Sequence, residues 1–381
     1  MSKRRIVYDM NKGKKKLKIA LIFGGKSVEH EVSLQSAKNV LDALDKDKYD
    51  IVLIGIDKEG TWHLKDQSNF LLNSSNPKLI KLNNSDNLSV NKLDQKEQSL
   101  AILQSEQKRG KINVAFPILH GSYGEDGTIQ GFFKLAGIPF VGSSVLGSSV
   151  SFDKDVTKRL LTEAGIPNTP FITIRQGDKV SFSKIKKVLD LPMIAKPANS
   201  GSSVGISKIK NEKEFNTAVQ YAFKFDTKII IEKFIGEKRE IECAVLGNEN
   251  PKASVCGEVI TNKRHSFYSY EAKYIDENGA SLEIPAKLPK PVQDKIQKLA
   301  VRTFKVLECE GLSRVDFFLL KNGKILVNEI NTIPGFTNIS MYPQLWGKTG
   351  ISYSQLIDKL IKLAIERFER EQKLQTTYIS K

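Results

Sequence analysis

Residues 314–331, RVDFFLLKNGKILVNEIN, leave few ways to fold. Two apolar runs flank Asn322-Gly323, the strongest short-range signal for a tight β-hairpin turn. Side chains alternate faces along a strand. A two-residue turn therefore sets Leu320 opposite Ile325, Phe318 opposite Val327, Asp316 opposite Glu329 and Arg314 opposite Asn331. The last four share one face, at the end far from the turn. Carboxylates facing each other across a strand pair repel, at a cost on the order of 4 kcal/mol for a separation of ~4–5 Å and an effective dielectric near ~20. Either Arg314 neutralises both acids in a cross-strand network, or a divalent cation lies between them. One guanidinium against two carboxylates leaves a deficit, which favours the cation. Asp316, Glu329 and the Asn331 carbonyl form an all-oxygen set that suits magnesium rather than zinc or copper. Magnesium commonly completes its shell with substrate phosphates, so the hairpin implies a nucleotide nearby.

The chain has 381 residues, 40% hydrophobic and 27% charged, enough for two or three globular domains. Its net charge of +16 comes mostly from lysines scattered among acids. With no zinc-finger, RNP or KH signature, the charge suits an anionic small molecule better than nucleic acid. No apolar run approaches the ~20 residues of a membrane span, so no membrane partner is expected. The start, MSKRRIVYDMNKGKKKLK, is basic but lacks the apolar stretch of a secretory signal, and 1–16 reads as a flexible leader. Cys243, Cys256 and Cys309 are too few and too separated for a disulfide framework or metal knuckle. A reducing, cytoplasmic setting is expected.

Along the chain, LKIALIFGG, YDIVLIGID and INVAFPIL are strands of parallel type, with a helix between the first two from about Glu31 to Leu44. They predict an open α/β domain over 17–142, interrupted by a polar excursion within 66–110 that has helical character near 96–107. Over 143–236, SFDKDVTKRLLTEAG reads as one helix ending on Gly165. The strands LPMIAKPA, ISKI and TKIIIEKFI follow, with a helix from Lys213 to Lys224. Over 237–372, REIECAVLGN and ASVCGEVI alternate as antiparallel strands, joined by the hairpin and closed by a helix, SYSQLIDKLIKLAIERFER. The class is α/β combined with α+β.

Several motifs fail on inspection. FGGKS lacks the first glycine of a P-loop, since position 20 is Ala; HExxH fails because position 34 is Leu; GSSVG has no Asp/His pair to activate Ser203. KPANSGSSVG fares better. A strand ending on Lys196 feeds Gly201-Ser202-Ser203, whose backbone N–H groups suit anionic oxygens, with Lys196 and Lys154 as point charges. Read alone it is an ordinary loop; beside a metal-bearing hairpin it is a phosphate site. IEKFI supplies either a strand leaving the core or a hinge at Glu232, Lys233 and Ile235 whose backbone meets an adenine edge, with Glu240 on ribose hydroxyls.

HGSYGEDG (120–127), FDKDVTK (152–158), KPANSGSSVG (196–205), YEAKY (270–274), RVDFF (314–318) and NEINTIPGFTNISMYP (328–343) occur in that order, after GGKSVEHEVSL near the start. Together they closely resemble the D-alanine–D-alanine ligases of the ATP-grasp superfamily, over roughly 17–365; GEKRE at 236–240 is one residue longer than the family's spacing. The resemblance implies a three-domain ATP-grasp architecture, with an N-terminal open α/β domain and two further domains sandwiching ATP between antiparallel sheets. It implies that ATP activates the carboxylate of one D-alanine as an acyl phosphate and that the amine of a second displaces phosphate, in peptidoglycan precursor synthesis. Asp316, Glu329 and Asn331 would hold two Mg2+ ions, for which Mn2+ can substitute. Lys154, Lys196 and Lys273 would contact phosphates, and Arg314 with the Gly335 N–H would form an oxyanion site. Glu29 would bind the first D-alanine's ammonium, with His120 near its carboxylate; Ser340 and Met341 would take the carboxylate of the second. Tyr274, Ser202 and Glu29 would form a triad closing a lid. Tyr274 argues against D-lactate as acceptor, D-serine remains an alternative, and a homodimer is usual for the family.

Overall fold

The parallel pairing of β1 (Leu17–Gly24) with β2 (Tyr49–Ile56) and of β1 with β6 (Val114–Ile118) builds the first sheet. In the computed structural model, which describes residues 16–74, 76, 79–83, 112–261 and 280–375, β3 (Trp62–Lys65) adds antiparallel to β2, giving the order β3-β2-β1-β6. These strands are nearly continuous runs of Ile, Leu, Val and Ala because helices cover both faces. The helix His30–Ala43 packs on one side and Thr128–Leu135 on the other. Within the polar excursion, β4 (Leu71–Leu72) pairs with β5 (Lys81–Leu82); the helical character expected near 96–107 lies outside the described residues, as does the leader up to residue 15.

The second sheet is antiparallel, in the order β7-β10-β8-β9, from β7 (Phe171–Arg175), β8 (Met193–Pro197), β9 (Ser207–Ile209) and β10 (Lys228–Lys233). Helices Phe182–Leu189 and Glu212–Ala222 cover one face around Ile185, Phe215, Ile229 and Ile231. The single helix expected across FDKDVTK is two, Val145–Phe152 and Lys154–Glu163. Asp153 breaks it: its backbone is extended and its side chain accepts the Val156 N–H at 3.1 Å, an N-cap. Lys228, reaching from β10, holds the Asp153 carboxylate at 2.5 Å and Asp155 at 3.2 Å.

The third sheet is wholly antiparallel, in the order β13-β12-β11-β14-β15, from β11 (Lys238–Gly247), β12 (Lys252–Thr261), β13 (Ala280–Glu283), β14 (Gly311–Leu320) and β15 (Ile325–Asn331). Alternation divides it. Ile241, Cys243, Val245, Val315, Phe317, Leu319, Ile325, Val327 and Ile330 form one core with Ile296, Ala300 and Phe304 of the helix Lys290–Val306, an element additional to those expected from the sequence. Ala244, Leu246 and Leu312, on the opposite face, join a core shared with the first sheet and with the helices Met341–Lys348 and Tyr353–Gln372.

The hairpin corrects one expectation and keeps another. Its tip is a three-residue loop: the Leu320 N–H donates to the Lys324 carbonyl at 2.9 Å and Gly323 takes a left-handed φ of 79°. Phe318 therefore faces Leu326, not Val327, and Leu319 faces Ile325. A bulge then leaves Asn328 as an extra residue between Asp316 and Phe317. The two one-residue departures cancel, so Asp316 does stand opposite Glu329 and Arg314 opposite Asn331.

Since Phe317 is 1% exposed at the centre of the core beneath these residues, Phe317→Ala should cost about 3–5 kcal/mol of unfolding free energy. Denaturant titration followed by circular dichroism measures it, and a loss below about 1 kcal/mol would mean that the core closes over the deletion.

Candidate active site

A cleft of about 450 Å³ runs between the second and third sheets, with loops of the first sheet across one end. Every described residue singled out in the sequence lines it. Glu29 and His120 come from the first sheet's loops. Lys154, Lys196, Ser202, Ser203, Glu232, Lys233 and Ile235 come from the second sheet and its helix. Glu240, Arg314, Asp316, Glu329, Asn331, Gly335, Ser340 and Met341 come from the third sheet and the loop after it. Lys273 and Tyr274 lie outside the described residues.

One wall is acidic. Asp316, on β14, has Glu329 of β15 on one side and Glu242 of β11 on the other. Arg314 grips Asp316 with two nitrogens at 2.7 Å, and its Nε lies 2.8 Å from Glu242 Oε2. Burial opposes the charged guanidinium, but Asp316, Glu242 and Glu329 hold its pKa well above the ordinary value. The Asn331 amide donates to Asp316 at 3.1 Å, which turns the other end of that amide, its oxygen, away from the carboxylate. Arg314 thus neutralises Asp316 as the network reading had it, while the acids number three rather than two. Among the described residues no group of three or more His, Cys, Asp or Glu is arranged to hold a metal. A cation here would need oxygens from a ligand to complete its shell, as magnesium commonly does.

The facing wall is basic. Glu232 is buried between two lysines, with Oε1 at 2.8 Å from Lys158 and Oε2 at 2.8 Å from Lys196. Burial alone would raise the Glu232 pKa; Lys158 and Lys196 outweigh it and hold the carboxyl below its ordinary value. Lys158 is 1% exposed on its side chain, and burial pulls its pKa down against the attraction of Glu232. Lys154 donates to the Ser200 carbonyl at 2.6 Å and is likewise lowered by burial, with Glu329 across the cleft opposing. The loop between β8 and β9 carries two consecutive non-glycine residues with left-handed backbones, Ser202 at φ 49° and Ser203 at φ 60°. Such residues are uncommon and concentrate at functional loops. Asn199 anchors the loop through two hydrogen bonds to Asp226, at 2.7 and 3.0 Å. At the end of β10, the Lys233 N–H is committed to the Pro170 carbonyl and the Phe234 N–H to the Pro192 carbonyl, both at 3.0 Å.

At the closed end, the Ser202 hydroxyl donates to Glu29 Oε1 and so joins the second sheet's loop to the first sheet. Two glycines admit that carboxylate: a Cβ on Gly201 would lie 2.8 Å from Glu29 Oε2, and one on Gly121 3.0 Å from the same oxygen. His120 Nδ1 donates to the Ile333 carbonyl at 2.9 Å, and burial pushes its pKa down, so the ring is neutral near pH 7. Ser340 accepts the Thr337 N–H at 3.0 Å at the start of the helix Met341–Lys348.

Sequence reasoning missed Lys158, Glu242 and Glu125. Lys158 lies one helical turn beyond Lys154 on the same helix, so i,i+4 spacing alone placed it beside its neighbour. Glu242 joins the acids only through the β11–β14 register, which no local pattern announces. Glu125 sits inside HGSYGEDG but carries no spacing signal of its own.

Two family models match the chain: D-ala D-ala ligase N-terminus over residues 18–143 and D-ala D-ala ligase C-terminus over residues 160–362. A D-alanine--D-alanine ligase of Oceanobacillus iheyensis is 54% identical over 365 residues, covering 95% of this chain and 99% of that protein. Among solved structures, the VanG D-Ala:D-Ser ligase of Enterococcus faecalis superposes with a TM-score of 0.77 at 35% identity, covering 92% of this chain and 100% of the other. The D-alanine--D-alanine ligase of Bacillus anthracis complexed with ATP superposes with a TM-score of 0.71 at 26% identity, covering 93% and 99%.

Removing the central charge of the lysine wall should be costly. Glu232→Gln leaves two buried ammonium groups facing a neutral amide, and a loss of about 3–5 kcal/mol is expected. Because the Glu232 carboxyl is held below its ordinary value, its contribution is present above that value and lost as pH falls through the lowered one. Thermal unfolding from pH 7 down to pH 3 should show the wild-type and variant midpoints converging at the acid end; parallel curves would remove the assignment.

Proposed function

The chain belongs to the D-alanine–D-alanine ligase family, and from that premise we propose how its cleft joins two D-alanine molecules at the expense of ATP. Lysines of one sheet facing carboxylates of another across a single cleft are the observation that carries the reading, because a nucleotide triphosphate with its cation needs both signs of charge. Residues 143–236 and 237–372 act as the two ATP-holding domains and 17–142 as the domain that brings the first D-alanine. The reaction is cytoplasmic and serves peptidoglycan precursor synthesis.

Lys154 and Lys196 bind phosphate oxygens, the Ser202-Ser203 backbone cradles them, and Glu232 holds Lys196 in place. The adenine edge meets the Lys233 carbonyl and the Ile235 N–H, the hinge's neighbouring N–H groups being already committed; Glu240 takes the ribose. The Asp316, Glu329 and Asn331 oxygens fit Mg2+, which when bound would neutralise the phosphates. Glu29 receives the ammonium of the first D-alanine. The carboxylate oxygen of that first D-alanine attacks the γ-phosphorus, the bond to the ADP oxygen breaks, and D-alanyl phosphate forms. The second D-alanine, its carboxylate on Ser340 and the Met341 N–H, attacks the acyl carbon with its deprotonated amine. The oxyanion that develops faces Arg314 and the Gly335 N–H. The bond from carbon to the phosphate oxygen then breaks, phosphate leaves, and one proton passes from nitrogen to solvent. The Ser202–Glu29 contact, with Tyr274, closes the site so that water does not reach the acyl phosphate.

With ATP, Mg2+ and D-alanine, the protein should release one ADP for each dipeptide formed, and D-lactate should not replace the acceptor. Release only with another acid would refute the specificity. Glu329→Gln should lower kcat by at least about 100-fold with the circular dichroism spectrum unchanged; near-normal turnover would remove Glu329 from the metal site.

A further inference from the structure

Four residues close a hydrogen-bonded ring between two loops more than 200 residues apart in sequence. The loop after β6 contributes His120, Gly121 and Glu125; the loop after β15 contributes Ile333. Glu125 Oε1 accepts the Ile333 N–H at 2.9 Å, and Oε2 accepts the Gly121 N–H at 2.9 Å. Gly121 is bonded covalently to His120, whose Nδ1–H donates to the carbonyl of that same Ile333 at 2.9 Å. Both polar groups of one peptide residue are therefore held by the first sheet's loop. Further on, the Phe336 N–H donates to Ser36 of the helix His30–Ala43 at 3.3 Å. Gly335 lies between these two ties, and Asn331 lies two residues before the first.

Resting on the ligase reading above, we infer that Glu125 is a positioning residue: through its two-handed grip it fixes the 332–336 loop, and with it the Gly335 N–H, relative to the first D-alanine held at Glu29. Glu125 is buried, lines the cleft and touches neither substrate in that arrangement. A carboxylate is the side chain suited to the task, because both its oxygens accept and the ring presents two N–H donors. The cost of burying it beside Glu29, which pushes its pKa up to about 7, is met only partly by Lys154 and the two N–H groups. An acid kept there for packing alone would be replaced without loss by a neutral residue of its shape.

The step most sensitive to the Gly335 N–H is amine attack on D-alanyl phosphate. If that step slows, the acyl phosphate waits longer, escapes and is hydrolysed to D-alanine and phosphate, so ATP is spent without dipeptide. Glu125→Gln offers one accepting oxygen and turns its amide N–H towards a second N–H. Glu125→Asp keeps the charge but is one methylene too short to span both donors. Each should lower kcat about 10- to 100-fold, leave the KM for ATP within about twofold, since no ATP contact changes, and raise the ratio of ADP to dipeptide above one. Backbone hydrogen exchange of 332–336 should accelerate at least about tenfold in both variants. A ratio that stays at one in both variants, or in Gln alone, would make Glu125 a packing residue and overturn the proposal. So would a ratio that rises in Gln but not in Asp, which would trace the effect to lost charge. Should wild-type protein release no ADP with D-alanine, the ligase reading fails by itself. The exchange measurement then still decides on the grip, and unchanged exchange refutes it.

Discussion

Asp316 stands on the middle strand of three, with Glu242 to one side and Glu329 to the other, and Arg314 is the guanidinium in reach of all three acids. Such crowding survives because alternation gives the same strands a second face. Val315, Phe317 and Leu319 lock β14 against the helix Lys290–Val306, so the acids cannot separate without opening that core. The apolar face holds the register; the register holds the charges together. Everything the cleft does chemically depends on that division of labour within one sheet.

The opposing wall follows the same rule with the signs reversed. Lys196 on β8 and Glu232 on β10 project from the face of the second sheet opposite Ile229 and Ile231, and Lys158 reaches in from the helix Lys154–Glu163. Without Glu232, the two lysines would face each other with no counter-charge between them. Glu232 lies 2.8 Å from each ammonium, and its charge opposes the effect of burial on Lys158. Asp153, paired with Lys228, ends one helix and caps the next, and Lys154 and Lys158 of that second helix line the cleft.

Much of this was legible in the sequence, for reasons that vary by residue. Asp316 and Glu329 were placed together by period-two counting from Asn322-Gly323, although the count was right only because a longer loop and a bulge at Asn328 offset each other. Counting cannot detect such a compensation; only the backbone path shows it. Glu242 was out of reach because β11 and β14 are brought side by side by a long intervening stretch. The break at Asp153 is readable as an N-cap, yet SFDKDVTKRLLTEAG also reads as one helix, and the lysine that pairs with Asp153, Lys228, lies far along the chain. The helix Lys290–Val306 begins at a proline-bounded segment, a start signal that the strand pattern around it obscured.

The two charged walls also explain why the loops at the closed end must be tied so firmly. Each wall repels itself, and a phosphate chain with its cation would relieve both at once, drawing the second and third sheets together. Closure of that kind positions groups on the sheets; it does nothing for groups on the loop after β15, which carries Gly335 beyond the last paired strand residue. That loop takes its position from the first sheet instead, through Glu125, His120 and Ser36. In the reaction proposed above, the reacting carbon would sit where the three sheets meet: phosphate on the second, cation on the third, and the first D-alanine on the first, whose loop also ties down the segment carrying Gly335. Binding energy from the nucleotide can bring the first two into register, whereas the third is set in advance by hydrogen bonds that need no ligand. A site organised in this way separates the work of capturing ATP from the work of aligning the acyl group, and errors in the one need not spread to the other.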